Sequence, residues 1–172
     1  MNGTFVAVLV ILLSGCAARP PIPIEYYEPP RDGPTATIIG EESVNSLVPL
    51  LFDNNTVFVE VVDYRRVRDA RSTGKIPLTI AAGKRHVMVA QQLGSLSGGY
   101  SFDFEAKAGV AYRVRYQQDL EGTNLLNRPL GQAGGPTFFW IEELESGKPV
   151  TEKVRTYVRS DYKSPTPIYV PK

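Results

Sequence analysis

Two neighbouring segments of the chain alternate apolar and polar residues with a period of two. In Tyr100–Ala106, Tyr100, Phe102, Phe104 and Ala106 oppose Ser101, Asp103 and Glu105. In Ala111–Gln117, Tyr112, Val114 and Tyr116 oppose Arg113 and Arg115. Successive strand residues point to opposite faces, so each segment predicts a strand with one wet face. Lys107-Ala108-Gly109 lies between them, and the pair predicts an antiparallel hairpin. Its outer face would set Asp103 and Glu105 beside Arg113 and Arg115, and cross-strand charge pairs explain those residues without a ligand.

The same reading extends along the chain. Thr35–Gly40 predicts a strand, and so does Val57–Asp63, rich in β-branched residues and with Val57, Val59 and Val61 on one face. Between them, Glu41–Asn55 reads as a loop whose apolar patch, Leu47–Phe52, plugs one end of the core. Tyr64–Gly74 is a polar turn region carrying Arg65, Arg66, Arg68 and Arg71. A phosphate, carboxylate or peptidoglycan grip is one reading of that cluster; a solvated hairpin end balanced by Asp63 and Asp69 is the preferred one. Ile76–Ile80 and Arg85–Ala90 are strands joined by Ala81-Ala82-Gly83-Lys84, where glycine supplies a positive φ. Gln91–Gly99 is a Gly/Ser loop. Thr137–Leu144 is the last central strand, turned by Glu145-Ser146-Gly147-Lys148 and followed by returns at Pro149-Val150 and Val154–Val158. Trp140 within it reads as a core residue in preference to a carbohydrate-stacking one. Short strands at this spacing predict an all-β fold, an antiparallel β-sandwich of about seven to nine strands.

Ahead of the strands, Phe5–Leu13 is a run of nine apolar residues. That is too short for a membrane-spanning helix, which needs about 20 residues, but fits the apolar region of a secretory leader. Leu13-Ser14-Gly15-Cys16 closes it: a branched apolar residue, two small ones and a cysteine. The stretch resembles the signal peptide and lipobox of a bacterial lipoprotein. The resemblance implies that residues 1–15 are removed and that Cys16 becomes the first residue and carries acyl chains. It also implies attachment to the membrane through that lipid. Ala17 is not the aspartate that retains such proteins at the inner membrane, so the expected address is the outer membrane, facing the periplasm. Residues 17–34 are proline-rich and predict an extended spacer, at about 3.1 Å per residue, in which Tyr26-Tyr27 packs on the domain or is exposed. The expected organisation is therefore 1–15 leader, 16–34 lipidated cysteine and linker, 35–158 sandwich and 159–172 loose tail.

Thr79-Ile80-Ala81-Ala82-Gly83-Lys84-Arg85-His86-Val87-Met88-Val89 is a strand, a glycine turn and a strand of alternating valines. Over Val57–Ala90 the chain resembles PEGA-like β-sandwich surface modules, which are mostly binding or structural parts. Those modules have an Asp-Gly turn ahead of this motif; here Asp63-Tyr64 stands in its place.

Composition narrows the chemistry. The 19 basic and 18 acidic residues leave a formal net charge of +1, which is no electrostatic footprint for nucleic acid. The single cysteine, Cys16, is taken by the lipobox, so the body has no disulfide, no catalytic thiol and no cysteine-based metal site. The single histidine, His86, lies in a strand with no Gly-x-Ser-x-Gly turn anywhere, and no cofactor motif or metal-ligand spacing is present. Glu142 and Glu143 are adjacent strand residues and cannot form a carboxylate pair. The expectation is a non-catalytic, structural or protein-binding envelope component with an envelope protein as partner. A glycan or small-ligand binder is the alternative, and a carboxylate hydrolase is less expected. The long excursion Gln118–Pro136 is the expected partner contact, through Leu125, Leu126 and Leu130, although these leucines equally suit folding back over the sandwich end.

Overall fold

Alternation decides which side of each strand is buried, and two sheets close over the buried sides. In the computed structural model, which describes residues 24–43, 55–93, 96–118 and 136–157, the chain is an all-β sandwich of ten strands. One sheet is built from β1 (Thr35–Ile39), β5 (Leu78–Ala81), β8 (Ala111–Gln118), β9 (Pro136–Glu143) and β10 (Val154–Tyr157), in the order β10-β9-β8-β1-β5. The other contains β2 (Glu41–Ser43), β3 (Asn55–Val62), β6 (Gly83–Leu93) and β7 (Leu96–Ala106) in the order β2-β3-β6-β7, with β4 (Arg65–Arg66) paired to the far end of β3. All pairs are antiparallel except β1–β8, which is parallel.

Ile38, Ile80, Tyr112, Val114, Phe139 and Ile141 project from the first sheet into the core. Val57, Val59, Val62, Val87, Val89, Phe102 and Phe104 meet them from the second. Most of these side chains are fully buried, and each contributes about 1.5–3 kcal/mol by leaving water. Continuous segments pass from one sheet to the other. After β1 the chain crosses at Gly40, whose N–H donates to the Thr73 carbonyl at 2.7 Å, and enters β2. A Cβ on Gly40 would stand 1.9 Å from the Val57 carbonyl oxygen, so only glycine fits the crossing.

Several expectations change. β7 and β8 do not form a hairpin: β7 pairs with β6, and β8 lies in the opposite sheet. Lys107-Ala108-Gly109, with Gly109 at φ 76°, arches from one sheet to the other. The inward aromatics therefore meet across the core, Phe104 and Tyr112 edge to face at 5.1 Å, and the buried Tyr112 hydroxyl accepts the Lys107 N–H at 2.8 Å. The expected charge pairs between the two strands do not form; Asp103 pairs with His86, and Arg115 with Glu41 and Glu142. Ala82-Gly83 makes a third crossing, with Gly83 at φ 99°. Gln91–Gly99 is strand at both ends rather than loop, because β6 and β7 pair from Gly83↔Ala106 to Leu93↔Leu96. The stretch read as a loop begins with β2, and the polar turn region contains β4 and a 3-10 helix, Ala70–Gly74.

Val61 does not share the face of Val57 and Val59. A bulge between Val59 and Val61 shifts the register, so that Val61 pairs with Met88 while Val62 takes the core position beside Val87. Thr73 stabilises that bulge. Its buried hydroxyl accepts the Val59 N–H at 2.7 Å and donates to the Ala70 carbonyl at 2.7 Å. Trp140 is also not a core residue: Phe139 and Ile141 occupy the inward positions, and Trp140 lies on the reverse face under Lys153, whose ammonium is 4.5 Å from the ring centroid. The hairpin of β9 and β10 is found where expected, with Gly147 at φ 65° in the turn. The leader with Leu13, Ser14, Gly15 and Cys16, the patch Leu47–Phe52, the leucines Leu125, Leu126 and Leu130, and the tail 159–172 lie outside the described residues.

Candidate functional site

The reversal from β3 to β4 uses two residues. Val62 pairs with Arg65, leaving Asp63 and Tyr64 as the whole loop, at φ 47° and 65°. Positive φ at both positions is the primed turn geometry that matches strand twist and is normally filled by Asn-Gly or Asp-Gly. Aspartate tolerates the left-handed region, whereas a tyrosine there costs roughly 1–2 kcal/mol.

Two contacts hold this turn. The Tyr64 ring stacks on His86 with centroids 4.5 Å apart and planes 11° from parallel, while Tyr64 remains 54% exposed. Asp63 is fixed at both carboxylate oxygens: Arg85 Nη1 donates to Oδ2 at 2.6 Å and the His86 N–H donates to Oδ1 at 3.1 Å. The Asp63 N–H returns a bond to the His86 carbonyl at 2.8 Å. His86 Nδ1 lies 2.8 Å from Asp103 Oδ1, and the Asp103 side chain is 85% exposed.

Strand register assembles the rest. β6 and β7 set Lys84 opposite Glu105 and His86 opposite Asp103. The result is an open pocket of about 550 Å³ walled by Lys84, Arg85 and His86 of β6, Asp103, Phe104 and Glu105 of β7, and Asp63 of the turn. Arg85 Nη2 is satisfied by the Ala82 carbonyl at 3.2 Å, but its buried Nε has no partner. His86 with Asp103 is a base and its orienter, yet no serine, threonine or cysteine is among the pocket walls. Among the described residues no three His, Cys, Asp or Glu side chains converge to hold a metal ion.

The arginine cluster has a different use. Residues 25–27 dock along β4: the Tyr27 N–H donates to the Arg66 carbonyl at 2.7 Å and the Arg66 N–H to the Glu25 carbonyl at 3.0 Å. Arg65 pairs with Glu25 at 3.2 Å, and Arg68 lies over the Tyr26 ring at 4.8 Å. The Tyr27 hydroxyl donates to the Thr79 carbonyl at 3.2 Å, and burial, with Asp63 nearby, raises the phenol pKa. The carboxylate at Arg65 is therefore Glu25, not Asp63, which is engaged by Arg85. Part of the segment read as spacer is packed on the sandwich, as the packing reading of Tyr26-Tyr27 expects.

A third polar group joins the sheets. Arg115 of β8 bonds Glu41 of β2 at 2.7 Å and lies 3.5 Å from Glu142 of β9, which accepts the Trp140 indole N–H at 3.1 Å. Burial pushes the Glu41 carboxyl pKa up, against the pull of Arg115.

Sequence reasoning singled out His86 but missed its pairing with Asp103 and the role of Tyr64. The departure from Asp-Gly at Asp63-Tyr64 was the signal for the latter. No protein-family model, curated protein or solved structure matches the chain.

Proposed function

We propose that this chain is a lipid-anchored component of the bacterial cell envelope, acylated at Cys16 after loss of residues 1–15. Its β-sandwich stands on the periplasmic side of the outer membrane in a non-catalytic, structural or protein-binding role. The observation that carries the reading is Leu13-Ser14-Gly15-Cys16 at the end of a nine-residue apolar run, followed at once by proline-rich chain. The docked segment sets the reach of such a tether. Because Glu25–Tyr27 is pinned to β4, only residues 17–24 would separate Cys16 from the body, about 25 Å if extended. The sandwich would therefore be held close to the bilayer by its β4 edge. Two or three acyl chains give effectively permanent attachment where one is marginal.

Membrane fractionation of wild type and Cys16→Ala tests the reading. The wild-type protein is expected in the detergent-extractable membrane fraction, with the variant either retaining residues 1–15 or released as a soluble form. Identical fractionation of cleaved Cys16→Ala and wild type would overturn it. The alternative of a glycan or small-ligand binder is favoured by one observation, the exposed Tyr64 ring beside a walled pocket.

A further inference from the structure

We propose that the pocket beside the β3–β4 turn binds a neutral saccharide, one ring of which stacks on Tyr64. The inference does not require Cys16 to be lipidated and goes beyond the envelope reading.

The first ground is the turn itself. Glycine would relieve the backbone at position 64, where φ is 65°, yet the residue is a tyrosine with more than half its surface exposed. Residues kept in costly backbone regions mark places where the side chain has a use. A packing role alone does not account for the exposure. His86 covers one face of the ring and holds it as a rigid platform.

The second ground is the polar rim. Asp103 is engaged by His86 through Oδ1 alone, and Lys84 and Glu105 are exposed beside it. Together they offer donors and acceptors at fixed positions, the fringe that hydroxyl groups require. The third ground is charge. Two cations, Lys84 and Arg85, face three carboxylates, Asp63, Asp103 and Glu105, so the walls nearly cancel and select neither a polyanion nor a polycation. Tyr64 is not itself a wall of the open pocket of about 550 Å³, but it stacks on His86 and follows Asp63, both of which are, and that volume suits one or two sugar rings.

The test titrates the full-length protein in detergent micelles with chitotetraose and cellotetraose, followed by amide and side-chain chemical shifts. Heparin and oligolysine serve as charged probes. At least one neutral oligosaccharide is expected to saturate, with shifts centred on Tyr64, His86 and Asp103. Tyr64→Phe is expected to bind within about threefold of wild type, and Tyr64→Gly to lose about tenfold or more. Because glycine suits the turn, Tyr64→Gly stays folded, and its unchanged thermal midpoint shows that contact and not structure was lost. The proposal is overturned if neither oligosaccharide produces saturable shifts at these residues. It is equally overturned if Tyr64→Gly binds as wild type does, or if heparin or oligolysine occupies the pocket in preference.

Discussion

Replacing Thr73 by valine keeps the side chain's shape and removes one oxygen. That oxygen accepts the Val59 N–H and donates to the Ala70 carbonyl, both at 2.7 Å, in a residue only 3% exposed. It occupies the bulge that carries Val61 to the reverse face and delivers Val62 to the core. In Thr73→Val the Val59 N–H is left buried without a partner, at a cost of about 1–3 kcal/mol, and the half-buried Ala70 carbonyl adds a smaller share. The expected loss is about 2–3 kcal/mol, read in urea unfolding as a lower midpoint at unchanged slope. In a thermal melt the same loss lowers the midpoint by roughly 4–12 °C. Thr73→Ser keeps the oxygen and forfeits one methyl, for about 1 kcal/mol. Amide exchange at Val59 should accelerate in the valine variant and stay near wild type in the serine variant. A Thr73→Val protein within about 0.5 kcal/mol of wild type, or a serine variant destabilised as much as the valine one, would refute the assignment of the bulge to this hydroxyl.

Two further substitutions read other parts of the frame. Gly40→Ala places a Cβ against the backbone of Val57 and should cost at least about 4 kcal/mol or abolish folding, because neither sheet can move independently. Gly109→Ala, with open space around it and only its φ of 76° to oppose, should lose roughly 1–2 kcal/mol; equal losses in chemical denaturation would contradict the crossing. The Glu41 carboxyl, raised above its ordinary value of 4.5 chiefly by burial, binds its proton more tightly folded than unfolded. Its contribution is therefore fully present below the unfolded pKa and is lost as pH rises through the folded one. Glu41→Gln keeps an acceptor for Arg115 and removes the titration. The stability of wild type relative to the variant should fall as pH rises above the ordinary carboxyl value of 4.5, and a rise would show the sign to be wrong.

The β-sandwich was legible because Tyr100–Ala106, Ala111–Gln117 and the valines of Val57–Asp63 alternate cleanly. Period-two alternation names the buried face but not the neighbour, so Phe104 and Tyr112 read as hairpin partners when they face each other across the core. The bulge at Val59/Val61 was invisible, since one extra residue flips a face without changing composition. Polar interior residues misled in the same way: Gln91, read as the start of a loop, is fully buried and donates to Asn55 at 2.9 Å. Trp140 was assigned by residue type although Phe139 and Ile141 already held the inward positions. At the candidate site, His86 was conspicuous as the single histidine. Its proximity to Asp103 depends on β6–β7 register, which sequence spacing does not encode. Tyr64 announced itself only by standing where a glycine was expected.

The central claim is that Cys16 is an acylated first residue. Intact-mass and peptide mass spectrometry of protein purified from its native membrane tests it directly. The account predicts that residues 1–15 are absent and that a diacylglyceryl group is carried on the Cys16 sulfur. A mature chain that retains Met1–Gly15 with an unmodified Cys16 thiol would contradict it.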